Sequence, residues 1–228
     1  MNKLEFLKKY FKDVEIIDTK NISNQHLPGF WIMALSEESA ETRKNIILTE
    51  WRKYNYQFQS TISYLQNNLI DVELIRKKDV YSLLYSVKNL KGNQVYYEGK
   101  NPLQINIPDS LKSVWGKLPP AFTDIYNNFH NGWVYYPNQA NGLLCIEDVI
   151  KLDDLDWAIL DEIDENSLPF KLGNSFGFFN NGMGDYVCID VESEDKNIGF
   201  IWWHTKAPRL NIEIWPTIDE WTKIGIER

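Results

Sequence analysis

The chain has 228 residues, of which 43% are apolar and 14% are aromatic. That much apolar material can build one substantial core or two modest ones, so the composition excludes a disordered chain. The net charge of −8 disfavours nucleic acid and anionic lipid as partners, because both carry negative charge.

The N-terminal segment begins with a predicted short helix, Lys3–Lys12, whose apolar residues recur at helical spacing. Lysines interrupt these apolar positions, so neither a signal peptide nor a membrane span is predicted, and no later stretch approaches about eighteen apolar residues. We therefore expect a cytoplasmic protein that does not associate with membranes.

The next elements are a strand at Val14–Asp18 and a second, buried strand at Gly29–Leu35, an apolar run too short for a helix of its own. Ser36 resembles an N-cap, because two glutamates follow it and favour the positive end of a helix dipole. From Ser36 to about Asn67 there is no Gly or Pro, which indicates one long helix or a closely spaced pair.

A hairpin is predicted from two runs of aromatic and β-branched residues, Asp79–Lys88 and Asn93–Glu98, that flank Gly92. Turn formers then gather between Gly99 and Asp109, where the charge balance also changes. Residues 1–109 carry 15 basic and 13 acidic residues, whereas residues 110–228 carry 9 and 19. We therefore predict a small α+β N-terminal domain over residues 1–105 and a second domain over residues 106–228.

The second half opens with a predicted helix, Ala121–Phe129, which follows two prolines and ends at an Asn-Gly pair. A last short helix, Ile218–Ile224, is predicted with Thr217 as its N-cap. Between the helices the pattern predicts five strands separated by Gly, Asn and Asp turns: Trp133–Tyr136, Gly142–Cys145, Phe176–Phe179, Tyr186–Val191 and Phe200–Trp203.

Five pieces of this half occur in a recognisable order: LPPAFTDIYNNFHNGW (Leu118–Trp133), IEDV (Ile146–Val149), FFNNGMGDYVCIDV (Phe178–Val191), GFIWWHT (Gly199–Thr205) and IWPTIDEWTKIG (Ile214–Gly225). Together they resemble the SUKH superfamily, the Smi/Knr-type group of fungal cell-wall regulators and bacterial toxin-immunity proteins. The resemblance implies an α+β fold with an antiparallel sheet and flanking helices. The Trp202-Trp203-His204 strand and a long acidic spacer depart from the family pattern.

The resemblance implies a binding protein and not an enzyme: an antitoxin that neutralises a cognate bacterial toxin protein by occluding its active site. The acidic charge favours a basic, nuclease-type toxin. A regulatory or scaffold module of the same fold stays open as an alternative.

A more distant alternative is a serine hydrolase, because Gly173–Gly177 matches G-x-S-x-G around Ser175, and Asp185 or Asp190 and then His204 follow in order. The residues after Ser175 predict a strand and a turn, however, where the hydrolase motif requires a helix. The three histidines show no metal-ligand spacing, the acidic run lacks the glycine of an EF-hand, and no nucleotide-binding motif occurs, so no cofactor or metal is expected. Cys145 and Cys188 are expected to be buried, unpaired residues in a reducing compartment.

One segment, Glu147–Glu165, concentrates the acid and is predicted to be the partner-binding surface. Its single base is Lys151. Trp157 is the candidate hot-spot anchor within it, although it could equally belong to the core, and the acids would orient the partner and speed association. The predicted contact residues are Glu147, Asp148, Asp153, Asp154, Asp156, Trp157, Asp161, Glu162, Asp164 and Glu165.

Overall fold

A computed structural model describes residues 2–18 and 26–228. These residues form one sheet of eleven strands in which every pairing is antiparallel. The strands are β1 (Val14–Ile16), β2 (Leu69–Lys77), β3 (Val80–Lys88), β4 (Gln94–Lys100), β5 (Asn131–Tyr135), β6 (Ala140–Leu143), β7 (Ile150–Lys151), β8 (Ser175–Asn180), β9 (Tyr186–Asp190), β10 (Ile198–Trp202) and β11 (Arg209–Glu213). Strands that follow one another in the chain pair with one another, with one exception: β6 pairs with β8 and not with β7. The short strand β7 also pairs with β8. The predicted α+β class with an antiparallel sheet is confirmed.

Seven α-helices accompany the sheet in the described part of the chain: α1 (Lys3–Lys8), α2 (Gly29–Leu35), α3 (Ala40–Arg52), α4 (Gln59–Asn68), α5 (Asp109–Lys112), α6 (Pro120–Asp124) and α7 (Ile214–Glu227). A π-helical turn, Ile125–Phe129, extends α6. None of these helices is long and apolar enough to cross a membrane.

Several predicted elements are confirmed with shifted ends. The hairpin of β3 and β4 turns at Gly92, whose φ of 81° suits glycine. The stretch that ends near Asn67 holds a pair of helices, α3 and α4. The five strands predicted in the second half correspond to β5, β6, β8, β9 and β10, within a few residues of their predicted bounds. The first helix ends at Lys8 and not at Lys12, and the sequence did not predict β2, β7 or β11.

The predicted strand at Gly29–Leu35 is wrong, because these residues form helix α2. Trp31, Ala34 and Leu35 are buried while Met33 is 60% exposed, which is the one-sided pattern of a packed helix. A seven-residue apolar run does not distinguish a strand from a buried helix by its own periodicity. Packing against α3 and β2 decides in favour of the helix.

Two predicted N-caps are also wrong. Ser36 is the C-cap of α2, and the cap of α3 is Ser39, whose Oγ accepts from the main-chain N–H of Thr42 at 3.4 Å. Helix α7 begins at Ile214, so Thr217 lies inside it and its hydroxyl donates to the carbonyl of Glu213 at 2.7 Å. A proline in the first turn of α7 does not interrupt the helix, since the N–H groups there need no helical partner.

The two faces of the sheet are covered differently. Helices from both halves of the chain pack on one face and enclose the main core, which includes Trp31, Trp51, Tyr85, Phe122 and Trp215. The other face holds three smaller clusters: one under α1 and β1, one in the middle at Val134, Leu144 and Cys145, and one under the acidic segment. Between the outer two clusters this face carries an open cleft.

The sheet and the main core both continue across the predicted domain boundary at residues 105 and 106. Strand β4 pairs with β5, with Tyr97 opposite Tyr135 and Glu98 opposite Val134. The division into domains at residues 1–105 and 106–228 stays a prediction, and strands from both parts belong to one sheet.

Candidate functional site

The acidic segment, Glu147–Glu165, lies over the strands β8 to β10 as a chain of short turns. Four 3-10 turns begin or end within it: Ile146–Asp148, Leu152–Asp154, Ala158–Asp161 and Glu165–Ser167. Apolar residues from these turns pack on Cys188, Phe200 and Trp202 of the sheet. Anchoring at a few apolar positions leaves the intervening polar residues facing water.

Trp157 is one of these anchors. Its side chain is 8% exposed and meets Trp202 and Tyr186 edge to face, with ring centroids 5.6 and 6.0 Å apart. Its indole N–H donates to the carbonyl of Leu152 at 2.7 Å. The ring therefore belongs to the protein's own packing, and the exposed apolar side chain of the segment is Leu155, at 44%.

All nine acids of the segment are exposed, and the structure divides them into two groups. Four are held by neighbours: Asp153 pairs with Lys151 at 2.9 Å, Asp164 caps the N–H of Asn166 at 2.9 Å, and Glu147 and Asp148 flank Lys100. The other five have no ion-pair partner among the described residues: Asp154, Asp156, Asp161, Glu162 and Glu165.

The five unpaired carboxylates, Asp154, Asp156, Asp161, Glu162 and Glu165, give the segment a negative field that the protein does not neutralise internally. Water and salt screen the repulsion between carboxylates that are exposed in this way. A basic protein surface would be attracted to this region, and rim charges of this kind act mainly on the association rate. All nine predicted acidic residues are thus accessible, while Trp157 is not.

The serine hydrolase hypothesis is wrong on geometry. Ser175 is fully buried at the start of β8, opposite Asp190, and its Oγ donates to the carbonyl of Lys171 at 2.9 Å. His204 instead contacts Asp185, with Nδ1 2.7 Å from Oδ1. Asp185 immediately precedes the first residue of β9, whereas Asp190, opposite Ser175, is its last residue. Asp185 and Asp190 are five positions apart along the extended chain, a distance of about 17 Å, so the hydroxyl of Ser175 does not contact the imidazole of His204.

The Asp185–His204 pair stabilises the turn that enters β9. Asp185 Oδ1 also accepts from the main-chain N–H of His204 at 3.1 Å, and Oδ2 accepts from Asn181 at 2.7 Å. Burial acts to raise the pKa of Asp185, but the hydrogen bonds from His204 and Asn181 outweigh it and hold that pKa below its ordinary value. The Gly-Asp entry to this strand is therefore a structural device.

Both cysteines and His130 are buried. Cys145 and Cys188 are free thiols, and burial raises the pKa of Cys145 to about 12 and raises that of Cys188 as well. Burial lowers the pKa of His130 to about 3, and its Nε2 lies 2.6 Å from the hydroxyl of Tyr85. At neutral pH these thiols and this imidazole are uncharged and enclosed, which suits packing.

No group of three or more His, Cys, Asp or Glu side chains that could hold a metal ion occurs within residues 2–18 and 26–228. The acids of the segment diverge toward solvent from separate turns. They do not converge on one point.

A family model for the SMI1 / KNR4 family (SUKH-1) matches residues 100–223, which is more than half of the chain. The chain belongs to the SMI1 / KNR4 family. The match contains β5 to β11 and most of α7, together with the acidic segment, so the resemblance seen in the sequence is confirmed. A search of curated proteins and a search of solved structures gave no significant match.

The SMI1 / KNR4 (SUKH-1) family is known for toxin-immunity proteins that act by binding other proteins. The first 99 residues lie outside the family match, yet they supply β1 to β4 and four of the helices. Sequence reasoning missed the polar groups that these strands carry, namely Lys77, Glu98 and Lys100. In the sequence these residues stand out only as charged residues near the ends of predicted strands. That pattern does not show that they lie together in the folded protein.

Proposed function

We propose that this SMI1 / KNR4 family protein is an antitoxin that binds a cognate bacterial toxin protein and occludes its active site. Family membership supports a protein-binding immunity role. The observation that carries the choice of surface is the set of five exposed, unpaired carboxylates on a segment anchored by Trp157. The fitting partner is a basic toxin domain of the nuclease type.

In this proposal the acidic segment covers the cationic groups with which a nuclease-type toxin binds phosphate. A nuclease active site needs positive charge to hold its substrate backbone. Carboxylates held against those groups would compete with nucleic acid and block entry. Trp157 keeps the segment in place, Leu155 supplies apolar contact, and the antitoxin acts in the cytoplasm of the bacterium that it protects.

Co-expression with the product of the neighbouring gene tests this function. The neighbouring product alone should stop growth, and the full chain should restore it. If the neighbouring product is harmless, or if the chain fails to rescue growth while forming a folded protein, the antitoxin proposal is lost.

A regulatory or scaffold module remains the second candidate, because the same family includes cell-wall regulators. It would bind a housekeeping protein, and deletion of the gene would then cause a growth or cell-wall defect without any toxin present. An antitoxin gene should be dispensable once its toxin gene is deleted.

A further inference from the structure

We infer that the cleft on the face of the sheet opposite the main core is a binding site for a carboxylate group that lies next to a positive charge, with Lys100 as its anchor. The cleft has a volume of about 540 Å³. Phe11, Lys77 and Val80 line it from the N-terminal part of the chain, and Asp148 and Tyr186 from the family domain. The inference is independent of the toxin proposal.

The two lysines of the cleft differ in how well their ammonium groups are satisfied. Lys77 Nζ lies 2.6 Å from Oε2 of the fully buried Glu98 and 4.1 Å from the ring centre of Phe11. Lys100 Nζ lies 3.8 Å from Glu147 and 3.7 Å from Asp148. Both contacts are ion pairs, but their distances exceed the roughly 2.7–2.9 Å of a charge-assisted hydrogen bond, so neither acid accepts a short hydrogen bond from Lys100.

Lys100 is also largely withdrawn from water, since its side chain is 19% exposed. The two acids offset the burial of this ammonium, but neither accepts a short hydrogen bond, so an incoming carboxylate can take that place. Its other neighbour is the Cys145 thiol, a weak acceptor that stays uncharged because burial raises its pKa to about 12. The donors of Lys100 are thus available where it lines the cleft.

The charges around the cleft select the kind of anion. Asp148 and Glu147 are 52% and 39% exposed, so negative charge lies toward the solvent side while the ammonium of Lys100 lies deeper. A dianion would be repelled by these two acids. A single carboxylate with a cationic group on its outer side matches both signs.

The rest of the lining suits such a ligand. The amides of Asn138 and Asn180 can donate to a second carboxylate oxygen, and Ala140 and Leu144 offer apolar surface to its carbon chain. The ligand is therefore a basic amino-acid derivative, or a carboxylate carried on a basic stretch of peptide.

The test uses the full ¹⁵N-labelled chain and two matched probes at fixed ionic strength, Nα-acetylarginine and its amide, Nα-acetylargininamide. Nα-acetylarginine should shift the amide signals of Lys100, Asn138 and Leu144 in a saturable way. The amide probe should bind at least about tenfold more weakly, because it cannot offer an ionised acceptor. Equal shifts from the two probes would overturn the inference.

Variants separate recognition from folding. Lys100→Met should weaken the binding of Nα-acetylarginine at least about tenfold. Lys100→Arg keeps the charge, so its affinity should stay within a few-fold of that of the native protein. The control is Lys112→Met, an exposed lysine paired with Asp109 on α5, which should bind normally. Retained binding in a folded Lys100→Met protein, or loss in the control, would exclude the assignment.

The two sources of the carboxylate are distinguished by a basic peptide that carries one aspartate, compared with the same peptide carrying asparagine. Tighter binding of the aspartate peptide than of Nα-acetylarginine places the carboxylate on a protein partner. Tighter binding of Nα-acetylarginine indicates a free small molecule. Both results require Lys100, and absence of saturable binding by every probe would reject the site.

Discussion

Asp219 of helix α7 accepts a hydrogen bond from the main-chain N–H of Thr61 at 2.8 Å, across 158 positions of the chain. The same carboxylate accepts from the N–H of Ser60 at 2.7 Å. It thereby caps the first turn of α4, which has no capping side chain of its own. The C-terminal helix of the family domain is thus fastened to the part of the chain that lies outside the family match.

Replacing this carboxylate should destabilise the whole fold. Asp219→Ala removes both acceptors and leaves two N–H groups unpaired at a largely buried site, so we expect a loss of about 2 kcal/mol in the free energy of unfolding. Urea denaturation measures it. The control, Glu220→Ala, alters the adjacent exposed acid and should change stability by less than about 0.5 kcal/mol. Equal effects would show that the cap contributes nothing.

Trp157 should act through packing. Trp157→Ala should cost about 3 kcal/mol or more and make the acidic segment susceptible to proteolysis, because the ring fills the space beside Trp202. Trp157→Phe keeps much of the ring and loses the bond to Leu152, for a cost of about 1 kcal/mol. The exposed Leu155→Ala serves as the control for stability. A wild-type protease pattern in Trp157→Ala would contradict the anchoring role.

The unpaired acids should govern the rate of partner association. Neutralising Asp154, Asp156, Asp161 and Glu162 as amides should slow binding to the proposed toxin partner about tenfold or more at low salt and flatten the salt dependence of the rate. Stopped-flow or surface binding measurements report this rate.

A matched control makes the same charge change elsewhere on the exposed surface, at Glu37, Glu38, Glu194 and Glu220. If both fourfold variants slow association equally, net charge matters and the acidic segment is not the docking surface.

Asp185 should contribute stability that depends on pH. Its pKa is lower in the folded protein than the ordinary 3.8, so its contribution is complete above that ordinary value and is lost as the pH falls through the folded-state pKa. The stability difference between the native protein and Asp185→Asn should therefore be constant above about pH 5 and shrink below about pH 4. Urea unfolding from pH 3 to 6 measures it, and a difference that stays constant over this whole range would contradict the role given to Asp185.

A chain cut at the predicted boundary should fold poorly. Residues 106–228 alone would expose the edge of β5 that pairs with β4, and Asp219 would lose helix α4, whose N–H groups donate hydrogen bonds to it. Unpaired strand edges and uncovered apolar surface promote association between chains. We expect aggregation or non-cooperative thermal unfolding, whereas a monomeric fragment with a cooperative transition would establish residues 106–228 as an independent domain.

Local chemistry accounts for what the amino-acid sequence by itself determined. Turn formers and β-branched residues marked the β3–β4 hairpin and the C-terminal strands, because a glycine with positive φ or an alternating pattern acts within a few residues. The ordered motifs from Leu118 to Gly225 indicated the family. The sequence also located the acidic segment, Glu147–Glu165, because exposed charged residues need no partner from a distant part of the chain.

Only the tertiary structure decided the features that depend on distant neighbours. Gly29–Leu35 became a helix because α3 and β2 cover its apolar side, and Trp157 became an anchor because Trp202 lies beneath it. The cleft brings Lys100 within 4 Å of Asp148, 48 positions later in the chain. Such pairings arise when the sheet aligns separate strands, and no periodicity within one segment encodes which strands become neighbours.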